Sequence, residues 1–443
     1  MGKLIYTFAS LAYTVDAPWG KGIARHGIER LAKLFHKYDI PVTWLVDSGS
    51  GKAMQTQINQ WHQRYGDDVG IFWEHSQAIP TAFRDGPAER RALRELFPWS
   101  EVTLAASGKR TNKVLAEVKK EGMKGLWGSC WEQTEIDGIT DRGAPWGFFY
   151  GADDCFKIPS RQPGGIISVE WTARDLCKSI HSGAPTVYST DPDDVGRTGI
   201  CTGDDIEYWK GLFHNYARNT SNNPYVFFSQ HQESHEMEYG PACREYSPAE
   251  IDRSEKMLDN FLRYIKSYGD LVHYCTLPEA LDIYRQHSNT TIPSVMLVDD
   301  VPCRKPPFWY AKGWPRGPWP KTLLYYDMDC QMVFIEDQFK PMLLRDYVHR
   351  RDPNDPNFFR EPDTPRVFCD TPWEVKEFTE IPFRIPCHRE LPYGSALWYD
   401  FKRFRVAGVK GAQAIGPIQD QVLLLRRDLV PGENRILVNL DPV

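Results

Sequence analysis

Leu4-Ile5-Tyr6-Thr7-Phe8, then Ala12-Tyr13-Thr14-Val15-Asp16, a run from Gly22 to Tyr38, and Pro41-Val42-Thr43-Trp44-Leu45-Val46 form the stretch that decides the fold. Leu4–Phe8 and Ala12–Val15 carry the β-branched and aromatic content of strands. Between Gly22 and Tyr38, the residues Ile28, Leu31, Leu34, Phe35 and Tyr38 recur at the spacing of one helix face. Val42–Val46 is a short apolar run bounded by Pro41 and the Gly/Ser stretch 48–51, the pattern of a buried strand. The alternation continues with helix Ala53–Tyr65, strand Val69–Trp73, helices Pro87–Leu96 and Lys109–Glu121, and strand Lys124–Trp127. After an irregular stretch come helix Asp204–Arg218, strand Tyr225–Phe228, helix Ser247–Ser267, strand Leu271–Cys275 and helix Pro278–Gln286. Repeated strand–helix units with short connections predict an α/β fold, a parallel sheet or barrel with helices outside. In such folds chemistry sits where strands end, here just after Val15, Trp73, Trp127, Phe228 and Tyr274.

A chain of 443 residues exceeds one ordinary core and predicts separate domains. Residues 1–290 form the predicted barrel, with a long insertion at about 129–203. Residues 291–320 read as a Pro/Trp-rich linker, and 321–443 as a β-rich, sandwich-like domain with strand-like runs such as Leu323–Tyr326 and Arg435–Leu440. Apolar residues at 41% and charged residues at 25% place the chain among folded globular proteins. A net charge of −6 without a Lys/Arg block gives no footprint for nucleic acid or an anionic membrane. No apolar run approaches a membrane span and no leader is visible, so a soluble cytoplasmic protein is expected; a secreted form stays open, with Asn219-Thr220-Ser221 and Asn289-Thr290-Thr291 as sequons. The 10 Cys are scattered singly, the pattern of buried reduced thiols rather than a zinc ribbon. Phosphate-loop motifs are absent.

Tyr13-Thr14-Val15-Asp16-Ala17-Pro18, the helix containing Leu31–Phe35, and Ile40–Val46 resemble the opening of the polysaccharide deacetylase family. His75-Ser76-Gln77-Ala78-Ile79 is similar to its second motif, Asn112–Trp127 to a later helix–strand segment, Phe227-Phe228-Ser229-Gln230-His231 to its late strand ending in His, and Thr276–Leu281 to its closing helix. The resemblance spans about residues 3–286 and implies an irregular (β/α) barrel of the polysaccharide deacetylase type. It also implies a general base at the first Asp of a pair, and a divalent metal held by the second Asp and two His. Asp16 takes the first place, but Ala17 stands where the metal-binding Asp belongs. His75 takes the first His place, while Ile79 or Pro80 falls at the second, and Leu104-Ala105-Ala106-Ser107 lacks the Arg of the third motif.

A hydrolytic amidase needs a base for water, a stabiliser for the oxyanion and an acid for the leaving amine. Asp16 is the candidate base and His231 the candidate acid, with Glu233 in the charged cluster His231-Gln232-Glu233-Ser234-His235-Glu236. On a helix, His231 and His235 would share a face, permitting a rebuilt zinc site of His75, His231 and His235 with Asp16 or Glu74 as carboxylate partner. The competing reading is a metal-free acid–base site. Trp19, Glu74, Trp127, Glu170 and Trp171 are candidate substrate-binding residues. His26, His36, His62 and His214 read as structural groups on helix surfaces, and Asp191, Asp193 and Asp194 around Pro192 as a turn. The leading expectation is a hydrolase of a non-peptide C–N bond, a deacetylase of an N-acyl sugar or small amide, with a glycan or small molecule as partner. Alternatives are a non-hydrolytic isomerase, lyase or cyclase, and an inactive carbohydrate-binding protein using Trp73, Trp127, Trp131, Trp146 and Trp171. Homo-oligomerisation stays open.

Overall fold

The computed structural model describes residues 2–17, 20–74, 85–107, 112–129, 147–151, 153, 160, 162–175, 188–292, 295–299, 301–304, 404–418 and 422–443, together with the strands between 323 and 398. Strand β1 (Lys3–Leu11) is buried at every side chain after Lys3. Such a strand has neighbours on both edges. Along one edge β1 pairs in parallel with β10 (Tyr225–Glu233) over its full length. On the other it pairs with β11 (Val272–Tyr274) at its start and β4 (Thr43–Val46) at its end. From β4 the sheet runs in parallel through β5 (Asp68–Glu74), β6 (Leu104–Ser107), β7 (Gly125–Ser129) and β9 (Ile167–Glu170), and ends on the antiparallel β8 (Phe148–Tyr150). The chain leaving β9 returns to β10, where the Ala173 amide donates to the Ser229 carbonyl at 2.7 Å, so the sheet curls into a nearly closed barrel.

The two faces of the strands carry separate apolar clusters. Tyr6, Phe8, Trp44, Ile71 and Leu126 pack outward with Ile28, Leu31 and Phe35 of α1 (Arg25–His36). Ile5, Ala9, Leu11, Leu45, Phe72 and Phe227 belong to the inner cluster. This is the alternation expected of strands covered on both sides. The predicted α/β barrel is therefore the observed one.

Local chemistry explains where the elements depart from expectation. The Gly/Ser stretch 48–51, read as a strand boundary, opens helix α2 (Ser48–Ala53) because Asp47 and Ser50 form a reciprocal capping box. The buried Asp47 carboxylate also accepts the Thr14 amide at 2.7 Å, tying the end of β1 to the end of β4. The segment after Ala12 folds as a hairpin of β2 (Thr14–Ala17) and β3 (Gly20–Ile23), so α1 starts only at Arg25. The stretch 129–203 supplies β8 and β9, strands of the sheet itself, rather than only irregular chain. Near its end Asp191-Pro192-Asp193-Asp194 opens a short helix, Pro192–Arg197, instead of a bare turn. Pro fits the first helical turn and the two aspartates complement its dipole.

Beyond the barrel, β12 (Val295–Asp299), β13 (Leu323–Asp327), β14 (Met332–Ile335) and β15 (Met342–Leu343) form one antiparallel sheet. Two further sheets follow, in the orders β16-β17-β22-β19 and β18-β21-β20; their strands are β16 (Phe368–Cys369), β17 (Glu380–Cys387), β18 (Leu391–Trp398), β19 (Phe404–Lys410), β20 (Gln413–Ile418), β21 (Val422–Leu429) and β22 (Gly432–Pro442). Most of the Pro/Trp-rich stretch, residues 305–322, lies outside the described residues, and β12 occupies part of the segment expected as linker. Among the described residues Cys201, Cys243 and Cys275 are free thiols, and no helix is long and apolar enough to cross a membrane.

His36, expected on a helix surface, is instead buried against Asp67. Its Nε2 lies 2.9 and 3.0 Å from the two carboxylate oxygens, which also accept the Trp44 indole N–H at 2.7 Å and the Val42 amide at 3.1 Å. One fully buried carboxylate thus joins α1, β4 and the entry to β5. Replacing Asp67 with Ala strands three donors in the core; we predict a loss of about 3–5 kcal/mol in unfolding free energy, measured by urea denaturation.

Candidate active site

Strand β10 aligns Ala9 with His231 and Leu11 with Glu233. Since Phe227 belongs to the inner cluster, the two-residue period turns His231 into the barrel at the strand's C-terminal end. There its ring lies 4.5 Å from Trp171 and 5.7 Å, edge-on, from Trp127, centroid to centroid. All three residues are buried. Trp127 stands near the end of β7 and Trp171 directly follows β9, so three parallel strands deliver the three rings to one place.

A fourth group comes from the segment before the helix Pro192–Arg197. Arg174 and Ser189 form an antiparallel bridge, the Thr190 amide donates to the Ala173 carbonyl at 3.1 Å, and Gln230 Nε2 donates to the Thr190 carbonyl at 2.9 Å. These bonds zip residues 189–190 onto the barrel rim and place Asp191 Oδ2 3.5 Å from His231 Nε2. Arg174 lies over the Trp171 ring, 4.6 Å from its centroid.

Neither ring nitrogen of His231, nor the indole N–H of Trp127 or Trp171, nor Oδ1 of Asp191 makes a hydrogen bond among the described residues. Buried polar groups are normally paired, so a concentration of orphaned ones at strand ends marks a place that awaits a polar ligand. Burial and then the Arg174 guanidinium hold the His231 imidazole well below its usual range, that is, neutral. Burial and the neighbouring Asp193 and Asp194 push the Asp191 carboxyl well up. Asp193 differs: burial works upward, but its bond to Asp191, Arg197 and the Tyr246 hydroxyl at 2.7 Å together hold it below the ordinary carboxylate range. A buried base kept unprotonated next to an acid kept protonated is the pairing general acid–base catalysis requires.

A second polar group lies just beyond the strand. His235 sits on the 3-10 turn Ser234–Met237, with Nε2 3.1 Å from Glu233 and 3.3 Å from Glu245. Burial works to lower the His235 pKa, but the Glu233 and Glu245 carboxylates outweigh it and raise it. Burial first, then Asp193 and Glu233, raise that of Glu236 well above the carboxylate range.

The expected residues are distributed as follows. His231 and Glu233 stand at the end of β10, and Trp127 and Trp171 meet His231. His231 is on a strand and His235 on a separate turn, so the shared helix face expected of them does not exist; β pairing with β1 carries the strand through Glu233. Asp16 lies on the β2–β3 hairpin opposite Lys21; Val15 beside it is buried, so alternation leaves the Asp16 side chain exposed, and it makes no polar contact with His231 among the described residues. Glu170 is buried on the strand face opposite Val169, within electrostatic reach of Tyr216. His75 and Trp19 lie outside the described residues, as does the Glu74 side chain. Trp73 belongs to the outer cluster while Trp127 and Trp171 belong to the inner one, so these three form no common stacking surface; Trp131 and Trp146 lie outside the described residues. Asp191 was read as part of a turn. Its only sequence signal, a Pro-flanked acidic run, is equally that of any helix start.

The metal set that the resemblance implies is not matched at residues 16 and 17. Ala17 offers no ligand atom in the place of the metal-binding Asp, and the hairpin directs its neighbour Asp16 to solvent. The orphaned nitrogens of His231 face indoles and Asp191 instead. Because those nitrogens make no hydrogen bond among the described residues, His231 adds little to stability. We predict that His231→Leu changes the unfolding free energy by no more than about 1 kcal/mol, or stabilises the chain, when measured by chemical denaturation.

No protein-family model matches the sequence, and no curated protein matches it. Solved structures do match. A Parabacteroides distasonis protein, a candidate glycoside hydrolase/deacetylase, superposes with a TM-score of 0.52 at 11% identity, covering 77% of this chain and 82% of its own. An allantoinase gives a TM-score of 0.41 at 14% identity over 66% of this chain and 93% of its own. A candidate polysaccharide deacetylase from Pseudomonas aeruginosa gives 0.41 at 14% identity over 65% and 93%. At 11% identity the likeness to the first of these is one of fold alone, and it agrees with the (β/α) barrel expected from the sequence.

Proposed function

We propose that this protein hydrolyses a non-peptide C–N bond, an N-acyl group on a sugar or a small amide, by acid–base catalysis at His231. The observation that carries the reading is the buried His231–Asp191 pair, 3.5 Å apart, ringed by orphaned N–H donors at the C-terminal ends of barrel strands. In the proposed reaction the neutral imidazole of His231 takes a proton from water as the water oxygen adds to the carbonyl carbon. The oxyanion so formed accepts hydrogen bonds from the indole N–H groups of Trp127 and Trp171, donors that need no reorganisation. The imidazolium then gives the same proton to the nitrogen as the C–N bond breaks, leaving a carboxylic acid and an amine. Asp191, protonated at rest, faces Nε2 and orients the ring. The role expected of Asp16 passes to this pair, since the Asp16 side chain is exposed. Glu233 and His235 stay outside the chemical step.

Release of acetate or amine by the purified full-length chain from N-acetylated sugars and small amides tests the proposal. His231→Gln is expected to lower kcat by about 10²–10⁴-fold. Trp171→Phe keeps the ring but removes the N–H, with an expected loss of roughly 10²-fold. Turnover that survives His231→Gln in a folded variant, or conversion of substrate with no amine released, would overturn it.

A further inference from the structure

We propose that Glu233, His235 and Glu236 form a binding site for a divalent transition-metal ion, completed from the solvent side by Glu245. One donor atom from each of the three residues lies within 4.8 Å of the others. Ligand atoms held about 2.0–2.6 Å from a single ion are separated by roughly 3–5 Å, so this is the spacing of a coordination shell. The backbone fixes it: Glu233 and Glu236 close a reciprocal capping box around the 3-10 turn, which keeps both carboxylates and the intervening imidazole on one short loop.

A second observation points to a cation. Gln232 is fully buried and donates its amide nitrogen to the Glu236 carboxylate, which holds its carboxamide against the cluster. Its Oε1 accepts no hydrogen bond among the described residues. An amide oxygen on a side chain held against carboxylates, with no donor among the described residues, is free to coordinate a positive ion. Glu245 is exposed, which gives an ion a path in. One imidazole with several carboxylates suits zinc or manganese better than calcium, whose sites are all-oxygen, or copper(I), which favours sulfur. The site differs from the rebuilt one expected from the sequence: His231 is not a ligand, and the proposal stands independently of the acid–base reading.

Equilibrium dialysis of the chelator-treated full-length chain against zinc or manganese, followed by elemental analysis and a thermal melt, tests the site. One ion per chain and a melting temperature raised by several degrees are expected. Glu236→Gln and His235→Gln should each weaken binding by at least about tenfold, whereas His231→Gln should leave it unchanged. Should His235→Gln fail to fold, the near-isosteric Glu233→Gln carries the same expectation. The proposal is overturned by a folded wild-type chain with no saturable binding below about 1 mM. Undiminished binding in Glu236→Gln, loss of the ion in His231→Gln, or equal affinity for calcium overturns it as well.

Discussion

The nine-residue parallel pairing of β1 with β10 is the constraint on which the rest depends. The two strands lie more than 200 residues apart in sequence, so their union closes most of the barrel in one step and is entropically costly without the apolar faces on either side. Those faces supply the compensation, because both strands are buried almost throughout. The same pairing sets a register in which His231 lies beside Ala9, a residue too small to cover the imidazole. A one-residue slip would turn His231 toward the helices and Gln230 inward.

Around this scaffold, polar groups are used in two distinct ways. Asp47 and Asp67 are buried and fully engaged, each accepting bonds from separate elements, and they serve as pins. His231, Trp127 and Trp171 are equally buried but keep their polar atoms uncommitted. Leaving such atoms unpaired costs about 1–3 kcal/mol each. A fold that bears that cost at the ends of its strands, after pinning the rest so thoroughly, has the character of a preorganised site.

The barrel was legible because period-two and period-3.6 patterns alternate from Leu4 to Gln286, and such patterns are local. His231 was legible as a polar residue closing an apolar strand, Tyr225–Phe228. The strand runs further than its apolar residues, however, since backbone pairing with β1 does not end where hydrophobicity does, and this removes the helix that would have aligned His231 with His235. Asp191 was hidden for a different reason: it lies 40 residues before His231, in a segment whose composition signals only a turn.

By itself the sequence determined the fold class, the strand carrying the site and the departure from the family's metal motif at Ala17. Each is written in neighbouring residues, through hydrophobic period or residue identity. Only the tertiary structure decided which carboxylate faces the imidazole. Asp16 alternates out to solvent on a hairpin, while Asp191 is drawn in because the neighbouring Thr190 donates its amide to the Ala173 carbonyl and accepts from the Gln230 side chain, and such long-range hydrogen bonds leave no local trace in the chain.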